Sequence, residues 1–146
     1  SELLKVLDPW IELEIVDYVE FYGSFAQIPA YNDAILKHRF DCRYIGFIDA
    51  DEFLVPKQNR SLIDVIDSIF QMNPPQGASI AGFGINWRMF GTSGKKFYES
   101  TDVIERFTRR AANNYKSNLH IKTIANPRMI SCILSPHHAR YMLGCG

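Results

Sequence analysis

The chain has 146 residues, 47% of them hydrophobic and 13% aromatic, which is enough to bury a modest core and too apolar for disorder. Its 16 basic and 16 acidic residues cancel to a formal charge of zero, arguing against a nucleic-acid binder that relies on phosphate attraction. No apolar run approaches the ~18 residues that cross a bilayer, and the first residues do not read as a signal peptide. Cys42, Cys132 and Cys145 form no CxxC pair and cannot all pair internally, so buried thiols in a reducing compartment are expected.

Residues 1–8 read as the tail of a helix that Pro9 stops. Ile11, Leu13 and Ile15 alternate with Glu12 and Glu14, and the period of two predicts a strand over residues 11–18. A chain that opens on a strand so early suggests a preceding unit that is missing. Residues 22–29 read as a loop. A helix follows over residues 29–38, with Pro29 in its first turn and Ala30, Ala34, Ile35 and Leu36 available for packing.

Residues 44–56, Tyr-Ile-Gly-Phe-Ile-Asp-Ala-Asp-Glu-Phe-Leu-Val-Pro, form the stretch on which the rest turns. The apolar run over 44–48 predicts a strand buried on both faces, and it ends abruptly in Asp49 and Asp51 with Glu52 beside them. Unpaired carboxylates so close together repel one another and lose hydration near a core. A divalent cation, Mg²⁺ or Mn²⁺, resolves both costs and can hold a phosphate as well. In open α/β sheets the carboxyl end of a strand is where ligands bind. A solvated turn is the plainer reading of an Asp-x-Asp triplet, but here it follows a five-residue apolar run and precedes Phe53-Leu54-Val55. An EF-hand loop is excluded, because its glycine and terminal glutamate positions hold Leu54 and Arg60. A phosphatase-like hydrolase with Asp49 as nucleophile is a weaker rival, since Phe53 stands where that motif places Thr or Val.

After Pro56, Ser61 is placed as an N-cap, and Leu62, Val65, Ile66 and Ile69 repeat at helical spacing, predicting an amphipathic helix over 61–72. The Asn73-Pro-Pro-Gln-Gly77 run breaks it. Residues 78–89 read as a strand in which Gly82 and Gly84 admit another backbone or a ligand. A glycine-rich turn over 90–94 precedes a helix expected from Thr101 or Asp102 to about Ala111. Residues 113–118 read as polar loop, 121–124 and 129–134 as short strands, and 135–140 as the closing segment. The order β, α, β, α, β, α, β, β predicts a single α/β domain over residues 1–146 with a mainly parallel sheet.

With these pieces in order, the chain resembles the GT-A glycosyltransferases, and more narrowly the family 2-like and family 92-like groups. The resemblance rests first on Asp49-Ala-Asp51-Glu-Phe53 and on Trp87-Arg-Met-Phe-Gly-Thr-Ser-Gly94. It extends through the Tyr31-Asn-Asp33 helix, Ile104-Glu-Arg-Phe107, His120-Ile-Lys122 and Pro136-His-His138, spanning about residues 11–140. It implies a three-layer α/β/α sandwich with a mainly parallel mixed sheet, here lacking the first βα unit that holds the base and ribose. The implied reaction is transfer of a sugar from a nucleotide-diphosphate donor, UDP being the expected nucleotide, to a glycan or other hydroxyl acceptor with inversion. The alternative is a non-catalytic nucleotide- or carbohydrate-binding domain that keeps the fold.

The resemblance also assigns roles. Asp49 and Asp51 are the expected metal ligands for Mn²⁺ or Mg²⁺, completed by His138 or His137 from the pair after Pro136. An inverting enzyme needs a carboxylate to deprotonate the acceptor. Glu99, Asp102 and Glu105 follow the glycine-rich turn where such a base is expected, Glu105 first among them; Asp102 also reads as a helix cap, and Glu105 as a partner for Arg109. Glu52 is expected to orient the Asp pair or bind acceptor, and Trp87 to stack on the acceptor sugar unless it is core. Lys122 and Arg128 are the expected donor- or acceptor-binding cations. The setting expected is a bacterial cytoplasm, with membrane association through parts beyond this chain, and a Golgi lumen as the alternative.

Overall fold

A computed structural model describes residues 2–57, 60–73, 78–97 and 100–142. The elements run α1 (Glu2–Glu12), α2 (Gln27–His38), β1 (Ile45–Gly46), α3 (Leu62–Phe70), β2 (Gly82–Asn86), α4 (Val103–Arg106), β3 (Ile121–Ala125), β4 (Ile130–Ser135) and β5 (His138–Tyr141). The strands make a three-stranded sheet of order β1-β3-β2 and a two-stranded β4-β5 hairpin.

The α/β class is as expected, but the sheet is not. Every strand pairing among the described residues is antiparallel. The 44–48 run forms only a two-residue edge strand, and β3 takes the centre, with Gly46 and Phe83 both opposite Ile124. An apolar run reports burial and carries no information about strand direction, which is how the parallel expectation arose. The apolar groups of that run are used otherwise: Phe47 enters the core, and Tyr44 stacks on Phe70 of α3 with ring centres 4.5 Å apart.

The core gathers Ile35 of α2, Phe47, Ala125 of β3, and Ile130 and Ile133 of β4. Asn32 binds α2 to β4 through its side chain, accepting from the Ile133 N–H at 2.8 Å and donating to the Ile133 carbonyl at 3.1 Å. Ser61 caps α3 as predicted, its Oγ accepting from the Asp64 N–H at 3.1 Å, and α3 buries Ile66. Helix α2 begins two residues before the expected start, still with Pro29 in its first turn.

Three local expectations fail. Helix α1 runs through Pro9 to Glu12, so Pro9, which removes a single backbone donor, lies inside the helix instead of stopping it. The strand expected over 11–18 is absent among the described residues; Leu3, Val6, Leu7, Trp10 and Ile11 satisfy helical spacing instead, and Glu14 leaves the helix with φ 55°. The helix expected over 102–111 shortens to the four residues of α4, since Phe107 departs from helical dihedrals. The residues that follow lie along the 89–91 segment, with Gly91 N–H donating to the Arg109 carbonyl and Ala111 N–H to that of Met89. Strand β5, read as a closing segment, completes the hairpin.

Gly82 and Gly84 do admit close neighbours, but these belong to the chain itself. A Cβ on Gly82 meets the Tyr141 hydroxyl, the Ala125 Cβ at 2.8 Å and the Ile124 carbonyl at 3.0 Å. Gly82→Val is therefore expected to cost about 1–3 kcal/mol through overpacking, lowering the thermal midpoint measured by circular dichroism, whereas Gly91→Ala, which meets no atom within 4 Å, changes it little.

Candidate active site beyond the first strand

The chain leaves β1 through Phe47 and Ile48 and turns at Asp49. The Glu52 N–H donates to the Asp49 carbonyl at 3.0 Å, and the Asp49 N–H donates to Glu52 Oε2 at 3.0 Å. This reciprocal closure fixes the 49–52 turn.

The Asp49 carboxylate is held from two elements, α2 and β3. Its Oδ1 accepts from Gln27 Nε2 at 3.0 Å and from the Tyr31 hydroxyl at 3.3 Å, both on α2. Its Oδ2 accepts from Lys122 Nζ of β3 at 2.7 Å. The same ammonium lies 3.3 Å from Glu52 Oε2. The Lys122 side chain is 3% exposed, against 38% for Asp49 and 21% for Glu52. A buried cation placed between two carboxylates meets the rule that interior charge must be paired. Asp51, by contrast, is exposed and has no hydrogen-bond or ion-pair partner among the described residues. Asp49, Asp51, Glu52 and Lys122 together formally leave two net negative charges.

Burial pulls the Lys122 pKa down, and the hydrogen bonds and charges of Asp49 and Glu52 more than offset it, leaving the group above the ordinary lysine value. Burial likewise raises the Tyr31 phenol, with Asp49 reinforcing it and the Gln27 hydrogen bond opposing it. Both folded-state values lie above the unfolded ones, so their contribution to stability is fully present below about pH 10 and is lost as pH rises through the folded values. The thermal midpoint is expected to fall above about pH 10 more steeply in the wild type than in Lys122→Met; equal slopes in the two proteins contradict this.

Beyond Lys122 lies an aromatic and imidazole cluster. Its Nζ is 5.8 Å from the Trp87 ring centre, and that ring is 5.1 Å from His120 and 5.3 Å from His137. His137 Nδ1 is 2.9 Å from the Ile121 carbonyl, which selects the tautomer with a proton on Nδ1 and leaves Nε2 as an acceptor. The Thr123 hydroxyl donates to the His137 carbonyl at 3.0 Å. His138 is exposed at the start of β5, its ring 6.5 Å from that of His137. Trp87 is half-buried, and its Nε1 has no hydrogen-bond partner among the described residues.

The remaining candidates are spread more widely. Asp102 and Glu105 are exposed at the N-terminus and within α4; Asp102 makes no side-chain cap, and with the helix ending at Arg106 the Glu105–Arg109 helical pairing is not formed. Arg128 is exposed and donates to the Phe40 carbonyl at 3.2 Å, tying the β3–β4 turn to the end of α2. Glu99 and Cys145 lie outside the described residues; Cys42 and Cys132 are free thiols. Sequence reasoning missed Gln27, His120 and the buried Asn118, whose Oδ1 accepts from the Met89 N–H at 2.9 Å and which thereby positions the stretch after Trp87. Only the helical register of Gln27 with Tyr31, four residues apart, was available to signal the first of these.

No three His, Cys, Asp or Glu side chains converge as a metal-binding group among the described residues. A hard cation shared with a diphosphate needs only one or two protein carboxylates, the rest of its shell coming from phosphate and water. The unpartnered, exposed Asp51 two residues from the fixed Asp49 fits that requirement chemically.

Comparison with known proteins supplies the class. The family model for glycosyltransferase family 92 matches residues 2–143, and the chain belongs to that family. Among curated proteins it is similar to galactan beta-1,4-galactosyltransferase GALS3 of Arabidopsis thaliana, 33% identical over 76 residues. That match covers 47% of this chain and 15% of the plant protein, so the chain spans only a small part of that relative's length. No solved structure matches. No helix among the described residues is long and apolar enough to cross a membrane.

Proposed function

We propose that this chain serves metal-dependent transfer of a sugar from a nucleoside-diphosphate donor, with UDP as nucleotide, to a hydroxyl group of a glycan, with inversion at the anomeric carbon. The observation that carries the reading is the contrast between Asp49, tied down by Gln27, Tyr31 and Lys122, and Asp51, exposed beside it and without a partner among the described residues. A bound Mn²⁺ or Mg²⁺ supplies charge neutralisation for the departing diphosphate. Asp51 is its foremost ligand, with Asp49 second; His137 offers a better oriented imidazole than His138, because its Nδ1 is already committed to the Ile121 carbonyl.

In this reading the acceptor oxygen attacks the anomeric carbon, the bond from that carbon to the diphosphate oxygen breaks, and UDP leaves with the electron pair. A carboxylate takes the acceptor proton, and Glu105 is the residue assigned to it, with Asp102 as the alternative; both side chains are exposed. Trp87 and the adjacent His120 offer an aromatic surface for a sugar ring. The similarity to a galactosyltransferase makes a galactosyl donor the first to try.

The test is release of UDP from a panel of UDP-sugars by the intact protein with Mn²⁺ and glycan acceptors, read with the product anomer by NMR. The expected result is acceptor-dependent release that Glu105→Gln reduces on the order of 100-fold. Tight donor binding without turnover for any acceptor identifies a binding domain instead and overturns the proposal.

A further inference from the structure

A lysine facing a presumed diphosphate site invites a phosphate-binding role, and the geometry of Lys122 argues otherwise. Its side chain is 3% exposed, and two of the three donors an ammonium possesses have carboxylate oxygens at 2.7 and 3.3 Å. Burial leaves a phosphate little access to the third donor, and the two carboxylates that occupy the others have further bonds within the 49–52 turn or to α2. Lys122 also sits on the central strand, so its ammonium connects the most constrained element of the sheet to a turn 73 residues earlier in the chain.

We infer that Lys122 is a positioning residue: its buried ammonium clamps Asp49 and Glu52 against β3 and thereby sets the turn that presents Asp51 to solvent. Without the ammonium, two carboxylates that now share one cation face each other uncompensated. The 49–52 turn then relaxes, and Asp51 loses its fixed direction. The inference rests on the proposed role of Asp51 toward a cation and diphosphate.

Because both partners of Lys122 are acidic, neutralising one of them relieves the loss of the ammonium, and a double-variant cycle reads that directly. Binding of UDP in the presence of Mn²⁺ is measured by calorimetry in the wild type, Lys122→Met, Glu52→Gln and the double variant, with thermal midpoints alongside. Lys122→Met is expected to weaken binding at least ~10-fold, in the range for loss of an outer-shell partner. Glu52→Gln is expected to weaken it by less than about 3-fold, and the double variant to recover most of the loss, because the surviving Gln amide can donate to Asp49. A loss in Lys122→Met that Glu52→Gln leaves unrelieved assigns Lys122 to the ligand and overturns the clamp.

A second readout needs no ligand and no folded Lys122→Met. The paired ammonium is expected to give a slowly exchanging ¹⁵N signal at neutral pH that Glu52→Gln shifts; a rapidly exchanging signal, or one that Glu52→Gln leaves unmoved, overturns the inference. A wild type that shows the protected signal but binds no UDP refutes the proposed function and not the clamp.

Discussion

Asp51→Ala is expected to abolish Mn²⁺-dependent binding of UDP, by on the order of 100-fold or more, while leaving the thermal midpoint within about 1–2 °C of the wild type. The two halves of that expectation come from one observation. Asp51 is exposed and makes no hydrogen bond or ion pair with the described residues, so its removal disturbs no internal contact. In the proposed reading its role is toward a bound cation. Asp49→Ala behaves differently, because it strips Lys122, Gln27 and Tyr31 of their common acceptor and leaves a buried ammonium with only Glu52. That variant loses stability as well as binding. Calorimetry paired with thermal unfolding separates the two aspartates; equal destabilisation by both contradicts the division of roles.

Ile130→Ala is expected to cost about 2–5 kcal/mol, the range for truncating a large aliphatic residue in a core that cannot collapse around the void. Ile130 is wholly buried and belongs to the cluster that joins α2, β3 and β4. Its carbonyl also accepts from Arg39 at 3.0 Å, which restrains the local backbone and limits relaxation into the cavity. Leu134→Ala on the same strand, 64% exposed, is expected to cost less than about 1 kcal/mol. Urea unfolding of both variants checks the contrast, and similar midpoints contradict the placement of the core.

The elements that were legible in the sequence are those with a local signature. Ser61 before Leu62, Val65, Ile66 and Ile69 announces α3 by cap and spacing, and the structure shows both. The abrupt end of the 44–48 run in carboxylates pointed to Asp49, which the structure places in a charged cluster with bonds to α2 and β3. What escaped depends on partners distant in the chain. Strand direction is invisible in Tyr44-Ile-Gly-Phe-Ile48, because burial on two faces is compatible with either pairing. Lys122 is singled out in the sequence as a binding cation, but nothing in Ile-Lys-Thr-Ile-Ala signals that it is buried; its charge is compensated by Asp49, 73 residues earlier. Asn118 reads as loop and proves to be a buried connector, since its partners Met89 and Ala112 become neighbours only in the fold. The short α4 reflects competition in which pairing of 109–111 with 89–91 prevails over helix continuation.

Calorimetric titration of UDP into the intact protein, with and without Mn²⁺, tests whether the exposed carboxylate at the 49–52 turn joins a divalent cation to a nucleoside diphosphate. Saturable binding that requires Mn²⁺ and disappears in Asp51→Ala is expected; binding that is the same without the cation, or that survives Asp51→Ala, contradicts that role.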